Sequence, residues 1–98
     1  MSTTTAPGTL DRAWALAPQV SVRPEAFGAL LYHFGTRRLS FLKDPRLLTV
    51  LRHLDTATSA RAACLDAGVT EPELAAFEKA IERLAATDMV RARQGDEP

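Results

Sequence analysis

The sequence has few of the features that catalysis or membrane insertion requires. One cysteine, Cys64, occurs in 98 residues, which excludes an internal disulfide and every metal site built from several cysteines. The two histidines, His33 and His53, are far apart in sequence and lack the helical i, i+4 spacing of a metal-binding pair. No apolar run approaches the roughly 20 residues that a membrane-spanning helix needs.

Recognisable catalytic motifs are also missing. The chain has no glycine-rich dinucleotide motif, no phosphate-binding loop and no HExxH sequence, and neither histidine is placed to activate a serine or cysteine nucleophile. We therefore expect a protein that is not an enzyme and that binds no metal or organic cofactor. The first residues, MSTTTAPGTL, lack the basic start and apolar block of a secretory signal, so a cytoplasmic location is expected.

Charge is balanced overall but unevenly distributed. The formal net charge is zero and the pI about 6.7, so no global field attracts nucleic acid or an anionic membrane. Residues 12–52 nevertheless carry seven basic and two acidic side chains, whereas residues 53–98 carry five basic and nine acidic ones. Either these are two solvated faces of opposite sign, or the basic half favours an acidic partner.

Length and composition predict one small domain with short tails. Residues 1–12 are rich in threonine, proline and glycine and are expected to be disordered, and residues 94–98 are expected to fray. The domain should therefore span residues 13–93. Trp14, the only tryptophan, is expected to cover the core rather than bind a ligand, and its indole N–H then needs a hydrogen-bond partner.

Three strands are predicted in succession. Val20–Arg23 alternates apolar and polar residues, and Pro24 should end this first strand. Phe27–Phe34 is a denser apolar run, as expected of a central strand. Gly35 is placed for a two-residue type II′ turn, after which Arg37–Leu42 alternates again as the third strand.

Three helices should follow the strands. Asp44 should be the N-cap of the first helix, with Pro45 at its first helical position. Thr58 or Ser59 should cap a second helix that ends at Gly68, and a capping box precedes the third helix. The predicted fold is α+β and winged-helix-like, with a three-stranded antiparallel sheet followed by three helices. Apolar residues at helical spacing mark the first helix (Leu47, Leu48, Leu51, Leu54), and the third follows the capping box Thr70–Glu73 (Leu74, Phe77, Ile81, Leu84).

A winged-helix-like fold suggests DNA binding as one function. In a helix-turn-helix the second helix of the pair faces phosphates and bases, and uncompensated carboxylates there oppose binding. The third predicted helix and its cap have four acidic residues against two basic ones (Glu71, Glu73, Glu78 and Glu82 against Lys79 and Arg83). DNA binding is therefore the less favoured alternative.

Peptide binding at a sheet edge fits the charge distribution better. The last strand, Arg37–Leu42, leaves one edge unpaired, and an extended peptide could add to it. The basic residues Arg37, Arg38 and Lys43 would then attract an acidic peptide. They could equally serve to keep the free edge from aggregating.

One long run resembles a known family. RPEAFGALLYHFGTRRLSFL, residues 23–42, together with the later Gly68-Val69 step, resembles the mycofactocin-system peptide chaperones of the MftB type. These belong to the PqqD-like precursor-peptide recognition domains, also called RiPP recognition elements. The resemblance extends from about Trp14 to Arg93.

This resemblance implies a specific role. Such domains take the leader of a ribosomally made precursor peptide as an extra strand beside their third strand, next to their last helix, and hand it to a radical S-adenosylmethionine (SAM) maturase. In mycofactocin systems the radical enzyme modifies the C-terminal Val-Tyr of the precursor. The chain itself lacks the CxxxCxxC cluster motif of such enzymes, as an adaptor would.

The resemblance also implies a site. The partners would be the mycofactocin precursor peptide and the radical SAM maturase, with no nucleic acid and no membrane. Ten residues are the implied peptide-binding positions, with Arg83 as a further candidate: Arg37, Arg38, Leu39, Ser40, Phe41, Leu42, Leu74, Phe77, Glu78 and Ile81.

Overall fold

The fold is α+β, as predicted. The computed structural model describes residues 8–93. These residues form five strands, β1 Trp14–Leu16, β2 Val20–Glu25, β3 Gly28–His33, β4 Leu39–Leu42 and β5 Val90–Ala92. They also form the α-helices α1 Pro45–Leu54, α2 Ala60–Asp66 and α3 Leu74–Ala86, and short 3-10 helices at Thr9–Asp11 and Glu71–Glu73.

The central element is an antiparallel sheet in the order β2-β3-β4. This order confirms the predicted three-stranded sheet and the central position of the apolar strand. Alternate residues face the helices, and Ala29, Leu31 and Leu42 are buried there. Leu39 and Phe41 point to the opposite face and stay exposed.

The predicted end of the first strand at Pro24 is wrong. β2 continues through Pro24 to Glu25, with Pro24 opposite Ala29. The Phe34 N–H donates to the Gln19 carbonyl, and hydrogen-bonded pairs alternate along an antiparallel ladder, so Pro24 occupies a non-bonded position. Its nitrogen faces the free edge of β2, and no ladder bond is lost.

The predicted two-residue turn at Gly35 is also wrong. The loop between β3 and β4 comprises residues 34–38, and it is Arg37, not Gly35, that has a positive φ, of 64°. The buried ring of His33 holds this loop, because its Nδ1 accepts hydrogen bonds from the N–H groups of Gly35 (3.0 Å) and Thr36 (3.1 Å). A longer loop is therefore stabilised by a side chain rather than by glycine geometry.

The helix predictions are confirmed. The Asp44 carboxylate accepts from the Arg46 N–H with Pro45 at the first position, and Ser59, rather than Thr58, caps α2. Gly68 follows α2 with φ 91°. The capping box is present at Thr70, but a turn of 3-10 helix precedes α3, so the α-helix itself begins at Leu74.

The ends of the described chain pair with each other. β1 and β5 form a second, two-stranded antiparallel sheet, and this pairing was not predicted from the sequence. Order also begins earlier than the predicted domain boundary at residue 13, because Thr9–Asp11 is helical and Leu10 is buried. Residues 1–7 of the predicted tail and the predicted frayed end, 94–98, lie outside the described residues.

The core lies between the inner sheet face, α1, α2 and α3. Trp14 is buried at its edge, as predicted, and its indole N–H donates to the Thr9 carbonyl (2.9 Å). Cys64 is fully buried. No helix among residues 8–93 is long and apolar enough to cross a membrane. The likeness to winged-helix proteins stays a prediction.

Candidate functional site: the β4 edge and the groove beside it

The outer edge of β4 has free hydrogen-bonding groups. The His33 N–H donates to the Arg38 carbonyl (3.0 Å), and bonded pairs alternate from there, so Ser40 and Leu42 pair with β3. The N–H and C=O groups of Leu39 and Phe41 consequently point away from the sheet. Within residues 8–93 nothing pairs with this edge, since β3 is the only neighbour of β4.

The opposite edge of the sheet is less able to accept a strand. Val20, Val22 and Pro24 occupy the outward positions of β2. The Val20 N–H already donates to the Ala17 carbonyl (3.0 Å), and Pro24 has no N–H. β4 is therefore the edge on which both outward residues, Leu39 and Phe41, have a free N–H group.

A groove separates β4 from α3. Two adjoining cavities, of about 380 and 250 Å³, open along it. Leu47 of α1 is in both linings. Both cavities are also lined by Phe41 and Leu42 from β4 and by Ala80 and Arg83 from α3.

Small side chains on α3 keep this groove open. Ala76 and Ala80 line it, followed along the helix by Arg83 and Thr87. These positions are three or four residues apart and so form one stripe, next to the buried stripe that contains Ile81. An extended segment lying in the groove would pass between this stripe and the β4 edge.

Unpaired positive charge lies at the groove and along β4. Lys43 and Arg83 line the larger cavity, and Arg37 and Arg38 are exposed in the loop that precedes β4. None of the four belongs to a salt bridge within residues 8–93. An acidic segment would therefore be attracted to this side of the domain.

Asp44, which lines the groove, and Glu73, which precedes α3, are both already neutralised. Arg46 donates to both Asp44 (3.0 Å) and Glu73 (2.9 and 3.0 Å), and its guanidinium lies 5.3 Å from the ring centroid of Phe77. These bonds lower the pKa of Asp44 and, with hydrogen bonds from Thr70, lower that of Glu73 to about 2. The same carboxylates raise the pKa of Arg46. The cluster ties the start of α1 to the start of α3, and thus fixes one end of the groove.

The structure separates the ten implied binding residues into groups. Ser40, Phe41, Leu42 and Phe77 line the groove, as does the further candidate Arg83. The remaining six do not line it. Leu39 is on the β4 edge, Arg37 and Arg38 are in the preceding loop, Leu74 and Ile81 are buried in the core, and Glu78 is on the side of α3 that faces Gly8.

Several groove residues were missed from the sequence. Lys43, Leu47, Ala76, Ala80 and Thr87 all line it. A helical stripe of small and polar residues beside the apolar stripe of α3 could have indicated them, because a face that packs in the core is not expected to carry Ala, Ala, Arg and Thr at successive turns.

Three kinds of side chain bear on whether the chain could be catalytic: potential metal ligands, the single thiol and the buried histidine. Residues 8–93 contain no group of three or more His, Cys, Asp or Glu side chains that could hold a metal ion. Burial raises the pKa of the Cys64 thiol to about 11, which disfavours its nucleophilic thiolate form. His33, the buried histidine, is engaged in holding the loop before β4.

Comparisons with known proteins identify the family of this chain. The model of the peptide chaperone MftB family matches residues 13–91. A peptide chaperone MftB from Mycobacterium ulcerans is 49% identical over 89% of this chain and 80% of its own length, and one from Mycobacterium tuberculosis is 50% identical over 86% and 77%. A third, from Mycolicibacterium smegmatis, is 46% identical over 82% and 78%. No solved structure matches the chain. With most of its length covered, this chain belongs to the peptide chaperone MftB family.

Proposed function

We propose that this chain is a non-catalytic adaptor in mycofactocin biosynthesis. It binds the leader of the ribosomally made precursor peptide as an additional strand on β4 and delivers it, in the cytoplasm, to the radical SAM maturase. Membership of a peptide chaperone family supports a peptide partner. The observation that carries the proposal is the free edge of β4 beside a groove that is both apolar and basic.

The binding mode follows from the groups that are available. The outward N–H and C=O groups of Leu39 and Phe41 would pair with the peptide backbone, which provides affinity without reading sequence. Alternate peptide side chains would enter the groove against Ala80, where an apolar side chain is removed from water. Acidic residues of the peptide would interact with Lys43 and Arg83.

Proline substitutions separate the two edges of β4. Leu39→Pro removes an outward donor, so the sheet should stay folded while peptide affinity falls by about 1–3 kcal/mol, roughly 5- to 150-fold. Ser40→Pro removes a donor to β3 and should destabilise the domain by about 3 kcal/mol or more. Calorimetry with the synthetic precursor peptide measures affinity, and circular dichroism measures folding.

Leu39→Ala is the matched control, because it shortens the same exposed side chain and keeps the N–H. We expect its peptide affinity to be much closer to that of the unmodified protein. A folded Leu39→Pro variant that bound the peptide with unchanged affinity would place the peptide elsewhere and refute the proposed site.

A further inference from the structure

The outer face of the three-stranded sheet is unusually apolar for an exposed surface. Four of the five exposed large apolar side chains within residues 8–93 are on or beside this sheet, and each is about half exposed or more: Phe27 (49%), Phe34 (59%), Leu39 (57%) and Phe41 (61%). We call these four residues the outer patch. Half-buried Leu30 and Tyr32 lie on the same face, opposite Phe41 and Leu39 in the β3–β4 register.

The aromatic rings of the outer patch are organised rather than scattered. Phe27 and Phe41 lie 6.0 Å apart between ring centroids, and Phe34 packs edge-on against Tyr32 at 5.5 Å. No helix covers them, because α1 packs against the opposite face of the sheet. Clustered aromatic residues with this exposure are typical of protein interfaces.

The margin of the outer patch is positively charged. Arg37 and Arg38 lie at one end of β4 and Lys43 at the other, all exposed and without a salt bridge among the described residues. Arg23, also on this face, is neutralised by Glu25 at 3.0 Å. A complementary partner therefore has an apolar centre and carboxylates at its margin.

A second copy of this chain does not meet that requirement. In a two-fold symmetric pair the same patch would face itself. Because both ends of β4 are basic, either orientation would bring unpaired cations of one copy close to those of the other, and like charges at an interface oppose association.

We infer that the outer patch is the docking surface for the enzyme that modifies the bound peptide. This inference rests on the proposed function. Leu39 and Phe41 have a double position, since their side chains belong to the outer patch while their backbone groups form the peptide edge. A protein docked on the outer patch would therefore lie beside the peptide as it leaves the groove. β4 would contact the enzyme through its side chains and the peptide through its backbone.

The test uses substitutions that avoid the groove. Neither Phe34 nor Phe27 lines the groove, and Phe34→Ser is the stricter test because Phe27 packs against the groove-lining Phe41. Leu65→Ser is the control because Leu65 is the exposed large apolar residue on α2, away from this sheet. Calorimetry with a mycofactocin-system radical SAM maturase should show about tenfold weaker binding or more for both phenylalanine variants. Binding of the synthetic precursor peptide should stay within about twofold for Phe34→Ser and Leu65→Ser, and Leu65→Ser should leave enzyme binding unchanged.

Two results would overturn the inference. One is unchanged enzyme affinity in both phenylalanine variants, with peptide binding intact, which would leave the proposed peptide site standing. The other is self-association in analytical ultracentrifugation that Phe34→Ser abolishes, which would assign the outer patch to a second copy. Failure of the peptide to bind at β4 is detected separately by the Leu39→Pro variant.

Discussion

Gly28 should be the residue at which a single added methyl group damages this domain most clearly. It begins β3 with φ 151°, a conformation that residues with a side chain rarely adopt. A Cβ atom there would lie 1.8 Å from the Leu42 carbonyl oxygen and 2.9 Å from its carbon. Both are backbone atoms, so Gly28→Ala can be accommodated only if the end of β4 moves away.

The magnitude follows from these two effects. Backbone strain costs about 1–3 kcal/mol. Loss of the bonded pair Ala29–Leu42 removes two ladder hydrogen bonds at about 1 kcal/mol each. We therefore expect Gly28→Ala to lower the free energy of unfolding by about 3–5 kcal/mol, from a total of roughly 5–15 kcal/mol for a chain of this length.

Urea unfolding followed by circular dichroism measures this loss, and Gly68→Ala is the control. Gly68 also has a positive φ, of 91°, but no atom lies within 4 Å of a Cβ built there, so only strain of about 1–2 kcal/mol is expected. Equal losses in the two variants would show that the contact with Leu42 is not limiting. Because Leu42 lines the groove, Gly28→Ala should also weaken peptide binding.

Two further predictions concern charge. Because the pKa values of Asp44 and Glu73 are lowered in the folded protein, their contribution to stability is present above about pH 4.5 and is lost as pH falls towards 2. Arg46→Met should therefore make the free energy of unfolding decline less steeply between these pH values. An unchanged acid dependence in this variant would contradict Arg46 as the cause of the lowered pKa values. Arg38→Ala should slow peptide association and reduce the salt dependence of the association rate without abolishing binding, as measured by stopped-flow fluorescence. A salt dependence equal to that of the unmodified protein would show that Arg38 does not help to attract the peptide.

Much of the fold could be predicted because its determinants are local. Period-two alternation marked the strands, and adjacent residues such as Asp44 and Pro45 fixed where α1 starts. The β1–β5 sheet could not be predicted in the same way, since each strand has three residues and its partner lies at the other end of the described chain. The role of His33 was also hidden, because a histidine in a strand does not reveal that its ring will accept two bonds from the following loop.

The candidate site was predictable on its strand side and less so on its helix side. The free edge of the last strand follows from strand order, and the family resemblance implied that Phe41 and Leu42 belong to the site; both line the groove. Which residues of α3 face the groove depends on how the helix is rotated about its axis. The apolar stripe was assigned to the site, but its residues Leu74 and Ile81 pack in the core. The residues that open the groove are alanines such as Ala80, whose contribution is space rather than a recognisable chemical group.

Amide hydrogen exchange at single residues tests the central claim most directly. With ¹⁵N-labelled protein, saturating precursor peptide should slow exchange of the Leu39 and Phe41 amides by about tenfold or more, because their free N–H groups become bonded in a new ladder. Val22, the outward amide on the opposite edge, should be unchanged. Slowed exchange at Val22 with no change at Leu39 and Phe41 would contradict strand addition at β4.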